Sequence, residues 1–503
     1  MNNFYTLLIL LVSYSATYAQ GTLDPTFGDN GIVTTVVNGT YNEAAATTVQ
    51  PDGKILVAGH AGEPATYKAT VARYNTDGSL DTTFGEDGTI IIPIGNDKSF
   101  ATDIELQIDG KIVVGARTWD NVTGDFAVVR LNADGSFDDT FGTNGISVAD
   151  NGTEAAETLV IQNDGTILLG GYSDDEFAIA KFNTDGSLDT TFGTNGFAIT
   201  GFGSSLGFIK EIAVQNDGKI VAGGFLLNNN NLYQMAAARF NADGTTDSSF
   251  GTNGEVFFNI DVENDFVDGM VIQDDGKIIL GGHTYIDSNP LRYDIAAVRL
   301  NTDGTFDSTY GDNGVVTVRL VNGENYTKSM ILQDDGKAIL FGSTVLQSEY
   351  DIALVRLNTD GSLDTSFDTD GMVSTDIDGR QDYGTDVVLQ PDGKIIASGY
   401  SYTGSGSSEM VVARYSNEPL GINENQGLDF NLYPNPANDY VTVNLQSTGE
   451  TYQVEIVDML GKTVLTSEVT NNGRIQVSAL AAGNYFVKLT SAETSGVVKF
   501  VKQ

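Results

Sequence analysis

One phrase occurs six times along this chain with little change. It reads NTDGSLDTTFGTNG at Asn183–Gly196, and near copies lie at Asn75–Gly88, Asn132–Gly145, Asn241–Gly254, Asn301–Gly314 and Asn358–Gly371. Half a copy, LDPTFGDNG, stands near the start at Leu23–Gly31. A second phrase, QPDGK and its variants, keeps step with the first and begins at Gln50, Gln107, Gln162, Gln215, Gln273, Gln333 and Gln390. A third mark, Arg or Lys followed by an apolar residue and Asn or Ser, falls at Arg73, Arg130, Lys181, Arg239, Arg299, Arg356 and Arg414. A fixed period of about 50–60 residues confines the chain to a repeat architecture, in which each unit buries its apolar faces against its neighbours.

Each unit reads as four short strands. In the first they fall at about Ala44–Gln50, Lys54–His60, Lys68–Tyr74 and Thr89–Ile94, in runs such as KILVAG, ATVARY and TIIIPI that Gly, Asn and Asp bound. PDGK is a tight turn in which Gly53 takes positive φ. The long phrase is a corner whose Asn and Asp side chains bond nearby amides, with Phe84 plugging it into the core. Four-stranded units stacked radially make a β-propeller. The seventh unit stops after three strands, at VVARYSN (Val411–Asn417), and the missing corner and strand stand at the other end of the chain. The sequence therefore predicts seven blades, the last completed by an N-terminal strand at about Gly31–Val36, which leaves no open edge in the ring. An open β-solenoid is the alternative, and it gives no reason for a split unit.

The LNxDGSLDTTFG and QxDGK phrases, over about Gly21–Asn417, resemble the delta-60 repeat family of bacterial proteins. The resemblance implies a fold and no particular reaction. After Asn417 the repeat gives way to a linker at 418–427 and to a separate unit at 428–503, whose alternating strands predict an immunoglobulin-like β-sandwich of about seven strands. Through Tyr433-Pro434-Asn435-Pro436, Asp458, Gly461-Lys462, Gly483-Asn484-Tyr485, Lys499 and Lys502, this unit resembles the type A C-terminal sorting domain of the type IX (Por) secretion system of Bacteroidota. The resemblance implies the type IX machinery as a partner of residues 428–503 and passage across the outer membrane of a Gram-negative cell, to the cell surface or the medium. An ordinary adhesion module of the same fold is the alternative.

The other end agrees with export. TLLILLVSYS, Thr6–Ser15, is an apolar run too short to span a bilayer, and small residues lead to a cut before Gln20, so residues 1–19 read as a signal peptide. A buried N-terminal element is the alternative, because Lys54 is the first basic residue. No other segment is long and apolar enough to cross a membrane. The formal net charge of −41 excludes a nucleic-acid partner, since phosphate binding needs basic patches. With no cysteine and two histidines, disulfides, thiolate nucleophiles and Cys-ligated zinc are excluded, and a His-based centre has little to work with.

Three sets of residues are candidates for a site. The first occupies one register of the second strands, six residues after each DGK lysine (or Thr166): His60, Arg117, Tyr172, Phe225, His283, Ser343 and Tyr400. Together with loop aromatics such as Trp119, it lies at the face of variable loops, where a rigid scaffold carries function. Aromatics there stack on sugars or apolar groups, or else pack against neighbouring loops. The second is Asp103, Glu211 and Asp386, each four residues before its glutamine, which line a channel either as solvated groups or as the acid and base of a glycoside-cleaving enzyme. The third is STDIDGRQD, which sets Ser374, Asp376, Asp378 and Asp382 at ligand spacing for Ca²⁺, the one cofactor the sequence suggests. A solvated acidic loop is its alternative. The corners themselves place Arg where a calcium loop needs its first Asp, and so read as metal-free. The function expected is a secreted or surface-bound, non-catalytic protein that binds glycan or protein. A secreted polysaccharide-active enzyme is the alternative.

Overall fold

A computed structural model of the chain describes residues 20–417, apart from 96–97, 120–122, 153, 204–205, 261–262, 289–290, 347–348 and 405, and residues 430–502, apart from 446–451, 459–462, 471–472, 482 and 491–494. The expected signal peptide and linker lie outside these residues. The described residues form two compact units.

The first unit holds seven four-stranded antiparallel sheets. Blade one runs outward through Tyr41–Val49, Ile55–Gly62, Lys68–Tyr74 and Thr89–Ile92. Five more blades repeat this order. The seventh takes Gln381–Leu389, Ile395–Tyr402 and Ser408–Tyr415 from the end of the repeat and Ile32–Thr35 from its start. The N-terminal strand pairs antiparallel with the third, Ile32 opposite Ala413 and Thr35 opposite Met410. This is the seven-bladed propeller closed by its N-terminal strand.

The repeated phrases explain why the blades hold together. Each corner aspartate is clamped from several sides. In blade one the Arg73 Nε and the Lys54 Nζ each donate to Asp81 Oδ2 at 2.8 Å, while Thr83 donates to Oδ1. The guanidinium lies over the Phe84 ring at 4.4 Å and reaches the Ala133 carbonyl in the next blade. Arg130, Arg239, Arg299 and Arg414 make the same interblade bond. The aspartates sit below the usual carboxylate range: burial works to raise them, but the hydrogen bonds and cations outweigh it. Between neighbouring blades the apolar faces form successive cores. The one that closes the ring joins Ile396, Met410 and Val412 to Ile55, Val57 and Tyr74, with Phe27 from the split corner.

The second unit has a three-stranded sheet (Phe430–Tyr433, Tyr440–Leu445, Arg474–Gln476) and a four-stranded one (Thr463–Val469, Tyr452–Asp458, Gly483–Thr490, Ser495–Lys502). Val441, Val443, Val454, Ile456, Val487 and Phe500 share one core between them. The Tyr433–Pro436 motif holds the last strand. Asn435 Oδ1 accepts from the Val501 amide, and Ala437 N donates to the Val501 carbonyl.

Candidate functional site

The innermost strand of each blade has one neighbour only, so its second edge faces the central channel. In every blade this strand slips register by one residue, a β-bulge. The extra residues are Ala45, Thr102, Glu157, Lys210, Asp268, Lys328 and Thr385, and all seven line a channel cavity of about 330 Å³. In six of the seven blades the bulge has a sequence mark, a glycine five residues after the DGK lysine or Thr166. A Cβ on Gly59, Gly224, Gly282 or Gly399 would lie 1.7–2.0 Å from the carbonyl oxygen that the bulge turns toward it. Blade two carries Ala116 there.

Four consecutive blades thus place Glu, Lys, Asp and Lys around one half of the channel. Lys210 Nζ lies 2.9 Å from Glu157, whose other oxygen takes Arg117 at 3.1 Å. Asp268 pairs with His283 Nδ1 at 2.9 Å and with Lys328 at 3.5 Å. Burial works to raise Glu157 and Asp268, yet their cations hold both below the usual range. The other half is small and uncharged at this level, with Ala45, Thr102 and Thr385.

One residue further along each strand comes a second ring, which includes Asp103, Glu211 and Asp386. These side chains are half-buried. Burial raises Asp103 to about 6 and Asp386 to about 7, and lifts Glu211 well above the usual range, with the Asp103 charge adding to it. Their oxygens bind neighbouring blades. Asp103 accepts from Leu159 N at 2.6 Å, Asp386 from Thr47 N and Ser329 Oγ at 2.7 Å each, and Glu211 from Thr158 Oγ1 at 2.9 Å. The carboxylates therefore satisfy donors along the open strand edges.

Above the charged ring stands an aromatic collar. Ring contacts run without a break through Tyr172, Phe208, Phe225, Phe266, His283, Tyr326, Tyr350, Tyr383 and Tyr400, at centroid separations of 4.8–6.3 Å. His60 and Phe100, 4.9 Å apart, stand on the far side, and Arg117 lies over Phe100 at 5.5 Å. Burial, helped by Arg117, lowers His60 to about 4, so it is neutral beside Glu43 at neutral pH.

The structure thus brings His60, Arg117, Tyr172, Phe225, His283 and Tyr400 to the channel mouth, with Ser343 buried beneath the collar. Trp119 stands apart, exposed at the end of its strand. The bulge residues were not visible as a set in the sequence, because they share no residue type. In the acidic segment, Asp376 and Asp382 are grouped with Asp351 of the preceding hairpin, a residue the spacing did not suggest. Ser374 Oγ donates to Asp351 at 3.4 Å. Asp378 is exposed and lies 3.7 Å from Arg380, outside the group.

Fold and channel together define a seven-bladed β-propeller with an aromatic-framed channel mouth, followed by a small β-domain. Comparison with known families agrees. The family described as "Domain of unknown function (DUF5122) beta-propeller" matches seven times, at 50–84, 107–141, 162–192, 215–250, 273–310, 333–367 and 390–418. The family described as "Secretion system C-terminal sorting domain" matches 431–503. The protein is a secreted β-propeller of DUF5122 repeats that carries a type IX sorting domain, and this domain directs it through the type IX machinery toward the cell surface or the extracellular space. No curated protein matches the chain. Among solved structures, polysaccharide lyase Uly1 is 12% identical over 75% of this chain and 90% of its own, with a TM-score of 0.45. A protein of unknown function from Dyadobacter fermentans DSM 18053 is 11% identical over 78% and 100%, also at 0.45. Neither likeness carries an argument about ligand or activity. Among the described residues no helix is long and apolar enough to cross a membrane.

Proposed function

We propose that the propeller is a non-catalytic binding scaffold that receives a glycan at the channel mouth. The observation that carries this reading is the aromatic collar above a ring of polar and charged side chains. Flat faces take the apolar faces of sugar rings, and convergent polar groups fix their hydroxyls. Arg117, Lys210 and Lys328 are each already engaged by a carboxylate. With the chain at −41, this favours a neutral glycan over an acidic one.

A second reading, a polysaccharide-cleaving enzyme, draws on the spread of carboxylate pKa values in the channel, with Asp386 raised to about 7 and Glu157 lowered. Against it, the raised carboxylates are occupied by strand-edge amides and hydroxyls. Glycan-array binding by the purified full chain, with a reducing-sugar assay on each captured polymer, separates the two. The scaffold reading expects capture without new reducing ends. Turnover that Asp386→Asn abolishes would replace it with the enzymatic one.

A further inference from the structure

We infer that the junction between the sixth and seventh blades binds a divalent cation, of which Ca²⁺ fits best, through Asp351, Asp376 and Asp382. One carboxylate oxygen from each of the three lies within 4.8 Å of the others. The molecule contains its own control, because each junction is built from equivalent positions. At the junction before it, Asp294 stands where Asp351 does, Arg319 where Asp376 does, and Asn325 where Asp382 does, as the strand registers show. There the charges close: Arg319 Nη2 donates to Asp294 Oδ2 at 2.8 Å and its Nε to Oδ1 at 3.0 Å. Asn325 is neutral, and its Oδ1 accepts from Val321 N and Thr344 Oγ1. At the junction one blade earlier the same places hold Gln234, Asn259 and Asp265, joined by amide hydrogen bonds. The sixth junction keeps the acid, replaces the arginine with a second acid and the asparagine with a third.

Among the described residues no side-chain cation makes up the difference. Arg380, in the same loop, is turned to Asp378 and Glu409. Asp382 is fully buried, and its Oδ2 accepts from Ile377 N at 2.7 Å. The buried Ser401 hydroxyl lies across the strand pair from it, but neither that hydroxyl nor the Asp382 Oδ1 reaches good hydrogen-bond geometry. A buried carboxylate oxygen without a well-placed donor is a costly arrangement, and a cation completes it. Asp376 is exposed and gives the ion an entry path, while Ser374 Oγ stands beside Asp351 as a fourth oxygen. Hard oxygen ligands, with water filling the remaining positions, suit Ca²⁺. The junction between the second and third blades also carries acids at all three places, Asp125, Asp150 and Glu154. There the Thr118 hydroxyl donates to Asp125, which is only half-buried.

The test uses calorimetric Ca²⁺ titration and melting of the full chain in calcium and in chelator. An ion bound to the folded form alone raises stability by mass action, and for a domain of this size a hundredfold excess over Kd raises the melting temperature by about 3 °C. Asp376→Arg with Asp382→Asn rebuilds the Arg319–Asn325 arrangement. This double variant is expected to melt in chelator at or above the parent in calcium, and to bind no Ca²⁺. A parent that shows no binding heat and melts identically in calcium and chelator overturns the inference. So does a double variant that keeps the parent's calcium response, which would place the ion elsewhere. Because the double variant gains stability on this account, loss of folding cannot imitate the expected result.

Discussion

Arg356 is the most buried of the corner arginines and the one whose partners differ. In other blades the guanidinium reaches a carbonyl of the next corner. Here the next corner is the split one, and Arg356 donates to Asn417 Oδ1 at 2.6 Å and to Gln20 Oε1, while Gln20 Nε2 donates to the Asn417 carbonyl. One side chain therefore clamps both ends of the propeller segment. Arg356→Ala leaves Asp364 buried without its main partner and is expected to cost about 3 kcal/mol, read by denaturant unfolding. Arg356→Lys is expected to recover only part of this, because an ammonium cannot hold Asp364, Asn417 and Gln20 in one plane. Blade three already carries that replacement: Lys181 stands 3.7 Å from Asp189. Lys181→Arg should add the missing bond to the fourth blade and stabilise by about 1 kcal/mol.

At the scale of the strand and corner, two families of carboxylates pull stability in opposite directions with pH. The corner aspartates, Asp24, Asp81, Asp138, Asp189, Asp247, Asp307 and Asp364, have pKa values lowered on folding. Their contribution is present above the unfolded pKa, roughly 4, and is lost as pH falls through their folded values. The channel carboxylates are raised, Asp103 to about 6 and Asp386 to about 7. Above roughly pH 4 the unfolded chain gives up these protons first, so the folded state loses ground as pH rises toward 7. Melting temperature should therefore peak between roughly pH 4 and 5, and Asp386→Asn should flatten the decline on the alkaline side. A propeller most stable at pH 8 would contradict this. The corners were legible in the sequence because each of their residues answers a local need: a tight turn, a capped amide, a plugged ring. The channel was less so. Bulge residues as different as Ala45, Glu157 and Lys328 share a position but no chemistry, and their mark, in every blade but the second, is the glycine across the strand pair. Asp351 escaped notice because it lies a whole corner upstream of Asp376, and only strand pairing brings them together.

At the scale of the whole molecule, the N-terminal strand closes the ring of blades. Deleting Gly21–Val36 removes the outer strand of blade seven and Phe27 from the closing core, and should cause aggregation or a large fall in melting temperature. Equal stability of the deletion would count against closure. A chain ending at Asn417 should fold in a foreign host yet stay in the periplasm of its own, because the sorting domain is gone; normal surface delivery would contradict that assignment. On the proposed reading, the collar binds the glycan. The most direct test measures the affinity of the strongest glycan-array ligand for the parent and for a Tyr383→Ala, Tyr400→Ala variant, with melting curves to confirm that both are folded. Two lost aromatic contacts, at about 1 kcal/mol each, predict affinity weakened by roughly tenfold or more. Unchanged affinity in a folded variant would place the binding surface elsewhere on the propeller.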